Sequence, residues 1–146
     1  MKKSLFFITF FVFFSLIGFS QSKKIIPDKR LYEVYSSDEI NRMLNSDLKQ
    51  LEYLNYYLDN CYYVVSLNNS QKPIEGIDIN LVTDKKTGKN FNEKTYLKGN
   101  FNVLKYNFNT GDTYALTYVW KEAGIAIVFR PEKHIKEDFE KKYNSK

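Results

Sequence analysis

Residues 36–60, with the sequence SSDEINRMLNSDLKQLEYLNYYLDN, carry the strongest folding signal in the chain. Ser36 and Glu39 have the spacing of a capping box, in which each side chain accepts a hydrogen bond from the other residue's backbone N–H. From Ile40 to Leu58, leucines recur at three- and four-residue spacings and form one apolar stripe on a helix. The stretch therefore predicts one long helix that packs its leucine stripe against a second layer.

The sequence after this helix has turn residues at the spacing expected of an antiparallel sheet. Five glycines recur at intervals of 11 to 13 residues, and glycine readily adopts the positive φ that tight turns require. The all-apolar run 125–129 is typical of a central strand. The strands of the resulting β-meander are predicted at about 62–67, 77–83, 90–97, 101–109, 113–121 and 125–130. Residues 90–98 fit a short helix equally well, because Asn90 and Glu93 also have capping-box spacing.

A second helix is predicted at the C-terminal end of the chain. Pro131 suits a first helical turn, since its fixed φ is already helical. Ile135, Phe139 and Tyr143 follow at four-residue spacings and share one side of that helix. The predicted fold class is therefore α+β: a long N-terminal helix packed on an antiparallel β-meander of five to six strands, with a short C-terminal helix.

The first twenty residues read as a signal peptide. Lys2 and Lys3 precede an apolar run at 5–17, and small residues precede a predicted cut after Ser20. That run is shorter than the ~20 residues that a membrane-spanning helix needs, so we expect no transmembrane segment after cleavage. The predicted organisation is a signal peptide at 1–20, a flexible leader at 21–35 and a single α+β domain at 36–146. The predicted location is secreted or periplasmic.

Composition narrows the classes of function. The 146 residues carry a net charge of +5 and include one cysteine and one histidine. Loss of residues 1–20 would leave 126 residues with a charge of 20 − 17 = +3, and all twelve tyrosines would remain. A disulfide scaffold is excluded, and so small a charge predicts no nucleic-acid partner. We expect no metal and no cofactor, because the chain has no Gly-rich phosphate loop and no convincing set of metal ligands.

Two tyrosines are the leading candidates for partner binding. Tyr53 and Tyr56 lie opposite the leucine stripe of the predicted helix, on its polar side, where we expect them to be exposed unless a further layer covers them. Amphipathic aromatic rings on a polar surface are typical of contacts with proteins or glycans. The sequence therefore favours a non-enzymatic exported binding module whose partner is an envelope protein, a glycan or a small molecule.

The alternative is a small secreted hydrolase with its site at the margin of the sheet. Asp47 falls inside the leucine stripe, where a carboxylate is either desolvated or at the sheet margin, and this makes it a possible functional carboxylate. Cys61 and His134 are the only pair that could combine a thiol nucleophile with an imidazole base. No motif surrounds either residue, so the sequence assigns no catalytic residue and favours the binding module.

Overall fold

The computed structural model describes residues 24–69, 72–91 and 101–145. Within these ranges it contains three α-helices and one four-stranded mixed sheet. The helices are α1 (Ser37–Ser46), α2 (Leu48–Asn60) and α3 (Glu132–Asn144). The strands are β1 (Tyr62–Ser66), β2 (Ile77–Asp78), β3 (Leu116–Trp120) and β4 (Ile125–Phe129). The predicted signal peptide at 1–20 lies outside the described residues. No helix of the described part is long and apolar enough to cross a bilayer.

The prediction of one long N-terminal helix is wrong, because the helix is interrupted at Asp47. The capping box forms at Ser36 and Glu39 as predicted, and α1 begins there. Asp47 then leaves the helical conformation, with φ −149° and ψ 63°, and its carboxylate accepts a hydrogen bond from the Gln50 backbone N–H at 3.0 Å. The run Asn45, Ser46 and Asp47 favours this break, since such side chains compete with helical hydrogen bonds and act as caps. Asp47 therefore begins α2.

The prediction of a five- to six-stranded antiparallel meander is also wrong. The strand order is β1-β4-β3-β2, antiparallel from β1 to β3 and parallel between β2 and β3. The strand predicted at 77–83 stops after two residues, because Asp78 caps a 3₁₀ turn at Ile79–Leu81. The strand predicted at 101–109 contains another 3₁₀ turn, Val103–Lys105, capped by Asn102. In both places a short polar side chain captures the backbone N–H that a strand would have paired.

The glycine spacing was a misleading guide to turns. Gly88 and Gly124 have a positive φ of 67°, as tight turns require. Gly76 instead allows close approach of two backbones, since a Cβ there would lie 2.6 Å from the Thr117 carbonyl oxygen. Asn90 makes an isolated antiparallel bridge to Thr83. The alternative predictions of a strand or a short helix at 90–98 concern mainly residues 92–98, which lie outside the described residues.

Loops, and not further strands, cover one face of the sheet. The run 125–129 forms β4, which is buried along its whole length between β1 and β3, as expected of a central strand. On one face of the sheet, rings from the strands contact rings from the loops, with Phe108 and Phe129 4.8 Å apart and Phe91 and Trp120 5.1 Å apart. The loop rings are Phe91, Phe101, Tyr106 and Phe108, and the sheet rings are Tyr62, Tyr118, Trp120 and Phe129. This aromatic cluster forms part of the hydrophobic core, with Tyr62 and Phe108 partly buried at its margin.

The segment before α1, within the predicted leader, is joined to the end of α2 by a buried arginine. Arg30 forms an ion pair with Asp28 at 2.7 Å, a second one with Asp59, and a hydrogen bond to the Leu58 carbonyl at 3.2 Å. Leu31, the next residue, is fully buried in the core. The charge of Arg30 is therefore compensated where it is desolvated, as a buried cation requires.

Candidate functional site

The two tyrosines predicted as a partner surface lie at the junction of α2 and α3. Phe139 of α3 packs between them, with ring centroids 5.3 Å from Tyr53 and 5.7 Å from Tyr56. Both tyrosines are consequently half-buried, whereas the sequence analysis placed them on an exposed surface unless another layer covered them. The covering layer is α3, which lies some eighty residues further along the chain.

A first cleft opens on one side of Phe139. Its volume is 310 Å³, which is at the small end of the range for ligand pockets. Two aromatic rings, those of Tyr53 and Phe139, face it from the two helices. The other residues that line it are Asp47, Lys49, Gln50, Lys136 and Glu140.

Ion pairs surround the first cleft. Lys49 Nζ lies 2.7 Å from Glu140 Oε1 and links α2 to α3, and Lys136 Nζ lies 2.7 Å from Glu132 Oε1 within α3. The hydrogen bond to Glu140 raises the pKa of Lys49. Both pairs are exposed to solvent, so they contribute little to stability and can exchange partners at low cost. The cleft thus has an aromatic lining and a rim of both charges.

The Tyr53 hydroxyl is the unusual group at this junction. It is buried, and it has no hydrogen-bond partner among the described residues. Burial is the main cause that raises the pKa of Tyr53 to about 12, with a smaller contribution from Glu132. A buried hydroxyl without a partner is costly, because it has lost its bonds to water without replacement.

A second cleft lies on the other side of Phe139 and has a volume of 380 Å³. Tyr56 lines it, and the Lys142 ammonium stands 5.2 Å above the Tyr56 ring in a cation–π contact. Asn55 closes one wall, since its side chain donates to the Ile26 carbonyl and accepts from the Asp28 N–H, both at 2.9 Å. The chain before α1 is therefore part of the second cleft.

Asp47, the predicted functional carboxylate, lies at the end of the first cleft. It is exposed, and its side chain caps α2 through the bond to Gln50. Its place inside the leucine stripe was an artefact of treating α1 and α2 as one helix. Capping is a structural role that accounts for an aspartate here without any catalytic function.

Cys61 and His134, the residues of the alternative hydrolase, occupy different environments. Cys61 is fully buried, and burial raises the pKa of its thiol to about 12. The charged side chains that act on the thiol are Arg30, Asp59 and Arg130, while His134 is exposed on α3. A thiol with so high a pKa is neutral at physiological pH and a poor nucleophile. The described residues contain no group of three or more metal-ligating side chains that could hold an ion.

Sequence reasoning missed Phe139 as a site residue. The spacing of Ile135, Phe139 and Tyr143 predicts a helix with one apolar side, but such a pattern is silent about which element that side covers. Comparisons with models of protein families, with curated proteins and with solved structures gave no match. Proposals about function therefore depend on the chemistry of this junction.

Proposed function

We propose that the protein is an exported, non-enzymatic binding module whose contact surface is the pair of clefts on either side of Phe139. One observation carries the proposal: two adjacent clefts share an aromatic ring, and each has a tyrosine from α2 in its lining. Aromatic side chains in partly enclosed positions are the residues that most often dominate the free energy of protein–protein binding.

The charges around the clefts favour a protein as the partner over a glycan or a small molecule. Carboxylates and ammonium groups alternate around the openings, as with Asp47, Lys49 and Glu140 at the first cleft. This pattern of an aromatic centre with a polar rim is the usual anatomy of a protein interface. Two neighbouring apolar side chains of one envelope protein segment would occupy the two clefts, and the rim would contact its flanking charges.

The Tyr53 hydroxyl lies beneath this surface, because it is buried in the free protein. Because it has no partner among the described residues, a movement of the Tyr53 side chain that brought the hydroxyl to an acceptor of a bound segment would remove its desolvation cost. Binding would then form a hydrogen bond without breaking one among the described residues of the free protein. A backbone carbonyl of the partner is the simplest such acceptor.

The test is photo-crosslinking in the producing cells with benzoyl-phenylalanine at Gln50, which lines the first cleft and is exposed. A captured protein is then purified and its affinity measured by calorimetry. We expect Gln50→Arg, which fills the first cleft, and Lys142→Glu, which reverses a charge at the second cleft, each to weaken binding about tenfold or more.

Two matched substitutions serve as controls, because they make the same changes away from the clefts. Asn41→Arg is on the exposed side of α1, and Lys133→Glu is exposed on α3. We expect both to leave the affinity unchanged. Equal affinities for the cleft and control variants would reject this surface, and capture of a glycan or small molecule would reject a protein partner.

Export is tested by intact mass spectrometry of the protein recovered from its producing cells. A chain that begins at Gln21 supports export with cleavage after Ser20. A mass that still includes residues 1–20 contradicts it.

A further inference from the structure

Among the described residues, the outer edge of β1 is an unpaired strand edge. β1 is the terminal strand of the sheet, and no described residue pairs with its outer side. Residues 60–69, NCYYVVSLNN, carry no charge and no proline. Tyr63 is 53% exposed and Val64 is 38% exposed, and they lie on opposite faces of the sheet. Edges that are long, uncharged and apolar are the ones to which other strands add.

The opposite edge of the sheet is protected. β2 has only two residues, one of which is the charged Asp78, and the chain turns at once into the 3₁₀ turn at Ile79–Leu81. Short strands and charged side chains are ordinary means of blocking edge-to-edge pairing. Within the described ranges, one edge of the sheet is thus blocked and the other is available for pairing.

The pairing of β1 with β4 determines which backbone groups are available. The Arg130 N–H donates to the Cys61 carbonyl and the Leu67 N–H donates to the Gly124 carbonyl, at 2.8 Å and 2.9 Å. In an antiparallel ladder the residues that bond inward alternate with those that bond outward. Residues 61, 63, 65 and 67 therefore bond to β4 and the turn before it, while Tyr62, Val64 and Ser66 direct their N–H and C=O groups outward.

We propose that a second copy of this chain pairs with the outer edge of β1, antiparallel and centred on Val64. With Val64 opposite its own counterpart, Tyr62 lies opposite Ser66 of the second copy and Ser66 opposite its Tyr62. All three outward-facing residues of each strand are then paired, two hydrogen bonds to a pair. The arrangement has twofold symmetry, the commonest symmetry of soluble dimers, and it joins two four-stranded sheets into one.

The same register also covers the exposed apolar side chains. Val64 meets Val64 of the second copy on the face that carries the aromatic cluster, and Tyr63 meets Val65 of the second copy on the other face. Aromatic and β-branched cross-strand pairs of this kind stabilise sheets. No charge lies on either strand, so the pairing has no local repulsion to overcome. A single edge buries less surface than a permanent interface, and the dimer should therefore dissociate on dilution.

The experiment is sedimentation velocity over a wide range of concentration, in reducing buffer so that Cys61 forms no disulfide. The protein is expressed from the 146-residue sequence in a secreting host. We expect a monomer–dimer equilibrium. Val64→Lys and Val64→Glu each place two like charges opposite each other at the symmetry axis and should each leave a monomer at concentrations where the wild type is dimeric.

A mixture of the two variants makes the test specific for the axis. Lysine from one chain then faces glutamate from the other, and we expect dimerisation to return to within about tenfold of the wild type. Val64→Pro is an independent variant, since the Val64 N–H points outward and its loss leaves the ladder to β4 intact. It should weaken dimerisation about tenfold or more through two lost hydrogen bonds.

Leu81→Lys is the matched control. Leu81 is 73% exposed and follows the protected edge, so a lysine there should leave dimerisation unchanged. A wild-type protein that remains monomeric at all concentrations would overturn the proposal. A dimer that survives Val64→Lys and Val64→Pro, or a mixture of the charge variants that stays monomeric, would overturn it as well.

Discussion

The two sides of α2 differ in how they are buried. On one side Leu51, Leu54 and Leu58 lie in the core, with Leu58 only 1% exposed. On the other side Tyr53 and Tyr56 are half-buried against Phe139, and clefts remain around them. The leucine side is closed and apolar throughout, while the tyrosine side is open and includes a buried hydroxyl without a partner among the described residues.

The difference shows that one helix can supply stability and a contact surface at the same time. Close packing leaves the leucine side no room for a ligand. On the tyrosine side Phe139 covers the two rings only in part, so the surface on either side of Phe139 is accessible.

Leu58→Ala should destabilise the protein by about 3–4 kcal/mol, since it leaves a cavity in a closed part of the core. The free energy of unfolding is measured by urea denaturation. Leu48→Ala is the control on the same helix, because Leu48 is 45% exposed and should cost less than about 1 kcal/mol. Similar losses for the two variants would contradict the closed leucine side.

Phe139→Ala should cost about 2–3 kcal/mol, less than is usual for a buried phenylalanine, because the tyrosines beside the clefts can relax into the space. Phe139 is 5% exposed and contacts the rings of Tyr53, Tyr56 and Tyr143. Near-UV circular dichroism should lose tyrosine signal together with the stability. His134→Ala, on the exposed side of α3, should leave both unchanged. If Phe139→Ala were as stable as the wild type, Phe139 would not be the side chain that covers the tyrosines.

Asp28→Asn should cost about 1–2 kcal/mol at neutral pH, because Arg30 at the end of the leucine side would lose a charged partner. The hydrogen bond from Arg30 holds the pKa of Asp28 below its ordinary value. The carboxylate therefore stabilises the fold above that ordinary pKa, and the contribution disappears as the pH falls through the lowered value.

Stability curves against pH for the wild type and the variant should consequently converge in acid. The exposed Asp112→Asn is the control for removal of a carboxylate as such. A constant difference between wild type and Asp28→Asn down to strongly acidic pH would argue against the ion pair.

Tyr53→Phe should be neutral or stabilise the protein by up to about 1 kcal/mol at neutral pH, since it removes a buried hydroxyl that has no partner. The pKa of Tyr53 is raised to about 12, so the wild type loses stability as the pH rises from about 10 through 12. The variant should gain on the wild type over that interval. Tyr114→Phe, at an exposed tyrosine, should show no such gain, and a destabilised Tyr53→Phe would reveal a hydrogen bond at this position.

Local sequence signals succeeded where neighbouring residues decide the structure. The capping box at Ser36 and Glu39, the buried strand at 125–129 and the helix after Pro131 all depend on residues within a few positions of one another. They failed where two local structures compete. Asp47, Asp78 and Asn102 each cap a turn or a helix. Periodicity alone predicted an uninterrupted helix or strand at all three positions.

The candidate site was predictable only in part. The helical spacing of the tyrosines against the leucine stripe placed Tyr53 and Tyr56 on the polar side of the predicted helix, where we expected exposure; in the structure they are half-buried. It could not identify Phe139 as their cover, because a residue's partner across a helix–helix contact depends on the path of the intervening chain. Asp47 was singled out for a burial that disappears once the helix is divided.

Residues close together in the sequence specify where α1 begins, where α3 forms, which side of α2 is apolar and that β4 is a buried strand, because caps and side-chain periods depend on near neighbours. The tertiary fold specifies that α3 covers the tyrosines, that loops lie over the sheet where strands were expected and that no described residue pairs with the outer edge of β1. Those outcomes depend on contacts between residues far apart in the chain, and no local period encodes them.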